Sequence, residues 1–161
     1  MKQFFIIFRS LIYVPLFIML FGWIALNVRV FDRKMDIILP FWTKSFGPVL
    51  MIVGGILVLI CVTIFIFRGR GTPAIFDPPT EFVATGPYSY VRNPMYIGGF
   101  ILLFGFGLYH RSISILILSV ILIGFFHLFV VFVEEPRLDR LFGKTYIEYK
   151  NRINRWIPKL K

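Results

Sequence analysis

Two adjacent carboxylates, Glu134 and Glu135, close the apolar run 112–133 at an end of the chain otherwise dominated by basic residues. Acids at the start of a helix beginning at Pro136 complement its positive end, and one acid would be enough for that. A tandem pair at the edge of an apolar span points instead to a site for a cation or a donor-rich ligand. His127 is the ionisable group deep in the same run, and it precedes Glu134 by seven residues, so on a regular helix the two share a face. Ionisable groups inside a membrane span face a cavity or the bundle interior. A neutral imidazole hydrogen-bonding a neighbouring helix is the structural alternative.

The second cluster is GPYSYVRNPMYIGG, residues 86–99. Pro94 suits the first position of a helix, with Asn93 as its N-cap. The free N–H groups of that helix start suit a carboxylate or phosphate, and Arg92 reinforces them. Tyr96 and the Gly98–Gly99 pair face the first turn, where missing side chains let a ligand or another helix approach closely. Tyr88, Tyr90 and Tyr96 also fit an interfacial aromatic belt. An anion-friendly helix start combined with an acidic pair fits a mixed-charge ligand. Its amino-acid portion would place a carboxylate at the helix start and an ammonium or sulfonium at the glutamates. Two histidines without clustered ligands give no metal pattern. Cys61, the single cysteine, lies within a span and reads as a small packing residue.

The elements that must hold these residues are apolar helices. Mean hydropathy is +0.80 and the apolar residues come in blocks. The runs 11–28, 46–67 and 112–133 are each long enough to cross a hydrocarbon core of about 30 Å, and 94–109 is a shorter fourth. The expected fold is all-α: a single membrane domain, 1–161, with four or five transmembrane helices. The first run has basic residues before it but no small-residue cleavage site after it, so it is expected to be retained. The turn between the third and fourth helices falls at His110 and Arg111. The loop 68–93 is expected to be stiff, because Pro73, Pro78, Pro79 and Pro87 each fix φ. Glycines recur through the spans, which suits close helix packing. After Glu135 the pattern predicts one amphipathic helix over 136–153, lying on the membrane surface or folded over the mouth of the bundle.

The net charge is +10. With both termini on one side, thirteen of the 18 basic residues fall on that side, including the 68–93 loop and the tail. The excess of basic residues inside places both termini and the site in the cytoplasm. Attraction to anionic lipid headgroups accounts for the basic tail without any nucleic acid.

The order TGPYSYVRNPMYIGG, then a helical hairpin, then VEEPRLDRLFGKTYIEYKNRINRWIP, resembles the isoprenylcysteine carboxyl methyltransferase family and the related phospholipid methyltransferases. The resemblance covers roughly residues 72–158. It implies a membrane-embedded methyltransferase that uses S-adenosyl-L-methionine at the cytoplasmic mouth, with a lipophilic acceptor entering from the bilayer. Carried over by residue, the cofactor site would use Tyr88, Val91, Arg92, Asn93, Tyr96, Gly98, Glu134, Glu135 and Leu138. Arg92, Asn93 and Glu135 would stand closest to the chemistry, and His127, Tyr146 and Tyr149 beside the acceptor. The family commonly has histidine where this chain has Asn93, so a proton-accepting role is lost at that position. An already anionic carboxylate acceptor needs no base, which points to O-methylation by alignment of the reactants.

Two other readings fit less of the chain. A membrane sterol-type reductase would share an arginine–histidine–proline-like motif, but its phosphate-rich nicotinamide cofactor should be met by basic groups rather than paired glutamates. A non-enzymatic small membrane protein would explain the spans but not a rigid proline-rich loop coupled to two acids.

Overall fold

A computed structural model describes residues 2–72 and 80–159, and every regular element among them is helical. Helix α1 spans Lys2–Val28, and a single 3-10 turn leads into the short α2, Asp32–Met35. Helix α3 is Thr43–Ile64, α4 is Pro94–Tyr109 and α5 is Ile113–Phe129. Two short helices follow: α6, Glu135–Phe142, and α7, Lys144–Arg152. Pro73, Pro78 and Pro79 of the expected stiff loop lie outside the described residues.

Three helical stretches, Gln3–Met35, Thr43–Gly69 and Ile113–Phe142, are long and apolar enough to cross a membrane. By length and composition these stretches are those of an integral membrane protein. The first stretch starts earlier than the expected residue 11, because Phe4 to Phe8 are apolar and Arg9 folds its Nε back onto the Phe5 carbonyl, 3.4 Å away, without breaking the helix. Helix α4 has 16 residues, which at 1.5 Å each cover only about 24 Å.

Glycines decide how α3 and α4 meet. A Cβ built on Gly54 would lie 2.5 Å from the Gly98 carbonyl oxygen, and one on Gly47 would lie 2.6 Å from that of Gly105. The pairing runs in opposite directions along the two helices, so they are antiparallel with their backbones touching. No side chain larger than hydrogen fits along this seam. Gly98 therefore faces α3, where a Cβ would also meet Val58 Cγ2 at 3.0 Å.

The far end of the bundle is tied by polar groups. Asp32 Oδ1 accepts the Ser114 N–H at 2.9 Å, so the end of α1–α2 caps the start of α5. The α4–α5 turn falls at His110 and Arg111 as expected, with Arg111 at φ 52° and its Nε donating to the Leu39 carbonyl at 2.8 Å. Ala25, Leu103 and Ile115 form the core there.

Helices α3 and α5 each end in a π-helical turn, Phe65–Gly69 and Val130–Glu134. Such wide turns hold an extra residue and are frequent at functional sites. Here both open at the end of the bundle where α4 begins. The expected single C-terminal helix is broken at Gly143, whose φ of 51° and ψ of −126° suit glycine. Lys150 Nζ reaches back to Asp139 Oδ2 at 2.8 Å and sets α7 against α6.

Candidate functional site

The loop before α4 is anchored by its own buried side chains. Val83 and Tyr88 pack with Cys61 in a small core under the loop. A 3-10 turn over Gly86–Ser89, opened by Pro87, seats the Tyr88 ring edge-on to Phe65 of the π turn, with centroids 5.4 Å apart. This fixes the direction in which the chain enters α4, and it carries Arg92 inward.

Glu134 and Glu135 stand next to each other in sequence but have different partners. Glu135, 7% exposed, accepts a bidentate pair from Arg155 at 2.7 and 3.0 Å. Arg92 Nη1 lies 3.0 Å from the same Oε1, and both side chains are 9% exposed. Two guanidinium groups thus answer one carboxylate. Glu134 accepts the Tyr96 hydroxyl at 2.8 Å, a neutral donor, and has no ion pair among the described residues. Glu134 thus meets a phenol where Glu135 meets two guanidinium groups.

The two glutamates, Arg92, Asn93 and Tyr96 all line one cleft. Leu138, Tyr146 and Tyr149 close it from α6 and α7, and Tyr88 lines it from the loop. Phe82 packs its ring on Phe142 at 5.3 Å and on Tyr149 at 5.1 Å, which adds an aromatic wall. The Tyr149 hydroxyl donates to the Tyr88 carbonyl at 2.6 Å and ties α7 to the loop. Burial pushes the phenols of Tyr88, Tyr146 and Tyr149 above their ordinary value, and the Glu135 charge adds to this at Tyr146. All three are therefore neutral around pH 7. Among the buried donors of the lining, Arg92 Nε meets no acceptor in hydrogen-bonding geometry among the described residues. The cleft encloses about 100 Å³, less than the roughly 300–1,000 Å³ of typical small-molecule sites.

Three expected site residues stand elsewhere. Gly98 belongs to the α3–α4 seam because only a glycine fits against Gly54 there. Val91 is buried, 6% exposed, and lines an open groove outside the cleft. His127 does not share a face with Glu134, since the π turn between them holds an extra residue and rotates the acid away. The imidazole instead accepts the Trp156 indole N–H at Nδ1, 2.9 Å away. Asn93 makes no capping bond to α4. Its amide donates to the Arg155 carbonyl at 3.3 Å, and its neighbour's backbone, Arg92 N, donates to the Asn154 carbonyl at 2.9 Å.

The tail that passes across this end was not singled out from the sequence. Asn154, Arg155 and Trp156 fasten it to the loop, to Glu135 and to α5. The available signal was an arginine–tryptophan pair between the end of a helix and Pro158, in a tail that otherwise reads as generally basic.

Comparison with known proteins matches this region. Over 76 residues the chain is 32% identical to a phosphatidylethanolamine N-methyltransferase of Scheffersomyces stipitis, covering 46% of this chain and 8% of that protein. Over 81 residues it is 31% identical to the nickel-cobalt-cadmium resistance protein NccN of Alcaligenes xylosoxydans xylosoxydans, covering 50% of this chain and 38% of that one. The chain spans well under half the length of either relative. The profile of the phospholipid methyltransferases matches residues 42–145, from the start of α3 into α7, which is more than half of the chain. With α3, α4, α5 and both glutamates inside the match, the chain belongs to the phospholipid methyltransferase family.

Proposed function

We propose that this protein is a membrane methyltransferase that binds S-adenosyl-L-methionine in the cleft and methylates a lipophilic acceptor reaching it from the bilayer. One observation carries the reading: Glu134 is a half-buried carboxylate that accepts a phenol and forms no ion pair among the described residues, and it lines the cleft with aromatic rings. Such a place suits an onium cation, through charge and through ring faces. Arg92 Nε and the start of α4 supply donors for a carboxylate on the same ligand.

When bound, this cofactor supplies a methyl carbon activated by a positively charged sulfur. The chain's own part is to hold and align. Glu134 fixes the cation, Arg92 the carboxylate, and Leu138, Tyr146 and Tyr149 keep water out from above. The enclosed volume requires α7 to move away from α6 for entry, with Gly143 as the joint between them. The acceptor would react as the free amine, its nitrogen lone pair taking the methyl as the carbon–sulfur bond breaks, and the ammonium so formed would give its proton to solvent; the chain's main contribution is then alignment.

The acceptor atom in this proposal is an amine nitrogen, in place of the carboxylate inferred from Asn93. The relative from Scheffersomyces stipitis is named an N-methyltransferase, and the Asn93 amide here donates to the Arg155 carbonyl of the tail. Both termini and the cleft face the cytoplasm in this reading, with α4 as a fourth, short span.

The test is thermal unfolding of the detergent-solubilised protein with S-adenosyl-L-methionine. At 100 times its dissociation constant a ligand adds about 2.7 kcal/mol, or roughly 5–11 °C for a chain of this size. Glu134→Gln should lose most of that shift while its unliganded melting point holds. No shift in the unmodified protein would sink the reading.

A further inference from the structure

Arg155 reaches the site from behind. Arg92 and Glu135 both line the cleft and Arg155 does not, yet Arg155 holds more of Glu135 than Arg92 does. Its Nε meets Oε1 at 2.7 Å and its Nη2 meets Oε2 at 3.0 Å, the two-pronged pairing in which a guanidinium grips a carboxylate best. Arg92 has only what is left. Its Nη1 stands 3.0 Å from Oε1 as an ion pair, without hydrogen-bonding geometry. Its Nε has no acceptor among the described residues, although the side chain is only 9% exposed. Buried donors are ordinarily hydrogen-bonded, and a guanidinium beside a carboxylate ordinarily takes it. Here Arg92 is kept off.

Three consecutive tail residues fix Arg155 in that place. The Asn154 carbonyl accepts the Arg92 N–H at 2.9 Å, and the Arg155 carbonyl accepts the Asn93 amide at 3.3 Å. Trp156 donates its indole N–H to His127 Nδ1 at 2.9 Å. The segment 154–156 is not helical, so these bonds give it its shape. Two of them grip the very residues that carry Arg92 into the cleft, so the two arginines keep a set spacing about Glu135. One carboxylate can neutralise one guanidinium. With two guanidinium groups on Glu135, one positive charge is left over, on the side where Arg92 faces the cleft.

We propose that Arg155 is a positioning residue for the cofactor's carboxylate: by occupying both oxygens of Glu135 it stops Arg92 from closing onto that acid and leaves the Arg92 guanidinium free for the ligand. Arg155 itself touches no ligand. Without it, Glu135 turns both oxygens to Arg92, and an incoming carboxylate must break an internal ion pair before it can bind. The cationic end of the ligand, held at Glu134, is untouched by this exchange. The proposal deepens the methyltransferase reading and rests on it for the identity of the ligand.

The experiment compares two ligands that differ by the carboxylate alone, S-adenosyl-L-methionine and its decarboxylated form. Their dissociation constants are measured by calorimetry on the full chain in detergent, unmodified and as Arg155→Gln and Arg155→Lys. The unmodified protein should bind the carboxylate-bearing ligand about tenfold more tightly or better, the worth of one hydrogen bond between charged groups. Arg155→Gln should shrink that ratio below about threefold, while the constant for the decarboxylated ligand moves by less than about twofold. Arg155→Lys, whose ammonium covers only one of the two oxygens, should give a ratio in between, and it carries the test if the Gln variant does not fold. A merely structural role for Arg155 weakens both ligands alike, so a ratio unchanged in the variants overturns the proposal and leaves the cofactor reading standing. Equal binding of the two ligands by the unmodified protein overturns it as well. If the unmodified protein binds neither, the cofactor reading fails and takes the proposal with it.

Discussion

Glu134→Gln and Glu135→Gln should have opposite effects on the unliganded protein, although the two changes are chemically identical and adjacent. Losing the Glu135 charge leaves Arg92, 9% exposed, as a buried cation without its acid. Breaking such a pair from one side costs about 3–5 kcal/mol. Arg155, 28% exposed, adds little, because its charge can turn to water. At 2–4 °C per kcal/mol, the expected fall in melting temperature is roughly 6–20 °C. Glu134→Gln instead removes a desolvated charge while its amide oxygen can still accept the Tyr96 hydroxyl, so the melting temperature should hold or rise. Thermal unfolding in detergent at neutral pH, without ligand, reads both. Replacing the buried pair together, Arg92→Met with Glu135→Leu, should recover much of the loss, since apolar packing then replaces two charges. Equal effects of the two single changes would refute the division of roles between the glutamates.

The glycine seam predicts that Gly54→Ala costs about 1–3 kcal/mol, because the new methyl would strike backbone at Gly98 and Leu102, whereas Gly99→Ala, with nothing within 4 Å, should be neutral or slightly stabilising in the same unfolding assay. Gly143→Ala forces an alanine to a φ of 51° and should destabilise the α6–α7 joint by about 1–2 kcal/mol, read as faster proteolysis between the two helices at an unchanged α3–α4 core. The buried tyrosines predict an alkaline limit. Their phenols have raised values in the fold, so the stability they contribute is whole below about pH 10, where unfolded tyrosine ionises, and is lost above it. Melting curves from pH 8 to 11 should fall beyond pH 10, and Tyr149→Phe should reduce that slope.

The membrane helices were legible because burial in lipid needs only long apolar runs, and those survive any detail of packing. The cleft was legible in outline for a related reason: residue types that do not belong at an apolar edge, such as Arg92 and the two glutamates, mark a site wherever the chain brings them. The division between Glu134 and Glu135 was not legible. It depends on Arg155, twenty residues further on, arriving beside one acid and not the other. The wide turn over Val130–Glu134 has no sequence signature, and without it His127 counts onto the wrong face. Gly98 and the capping role of Asn93 were diverted differently. Each was in a position with a sound local role, near a helix start, and each was taken by a distant partner, Gly54 in one case and the tail in the other. The break at Gly143 could have been read from the glycine itself, but the apolar spacing continues across it.

The tail's hydrogen bonds to Arg92 and Asn93 have a consequence for the order in which the chain acquires its shape. Domains form as the chain emerges, N-terminal parts first. The α3–α4 seam needs nothing beyond Tyr109, so it can pair while α5 is still being made. The cleft cannot. Glu135 has one cation until residue 155 appears, and the indole that donates to His127 is residue 156. A nascent chain can thus be inserted and partly packed long before this end of the bundle is complete. A chain stopped after Arg152 should be membrane-integrated and helical by circular dichroism, yet show no thermal shift with S-adenosyl-L-methionine.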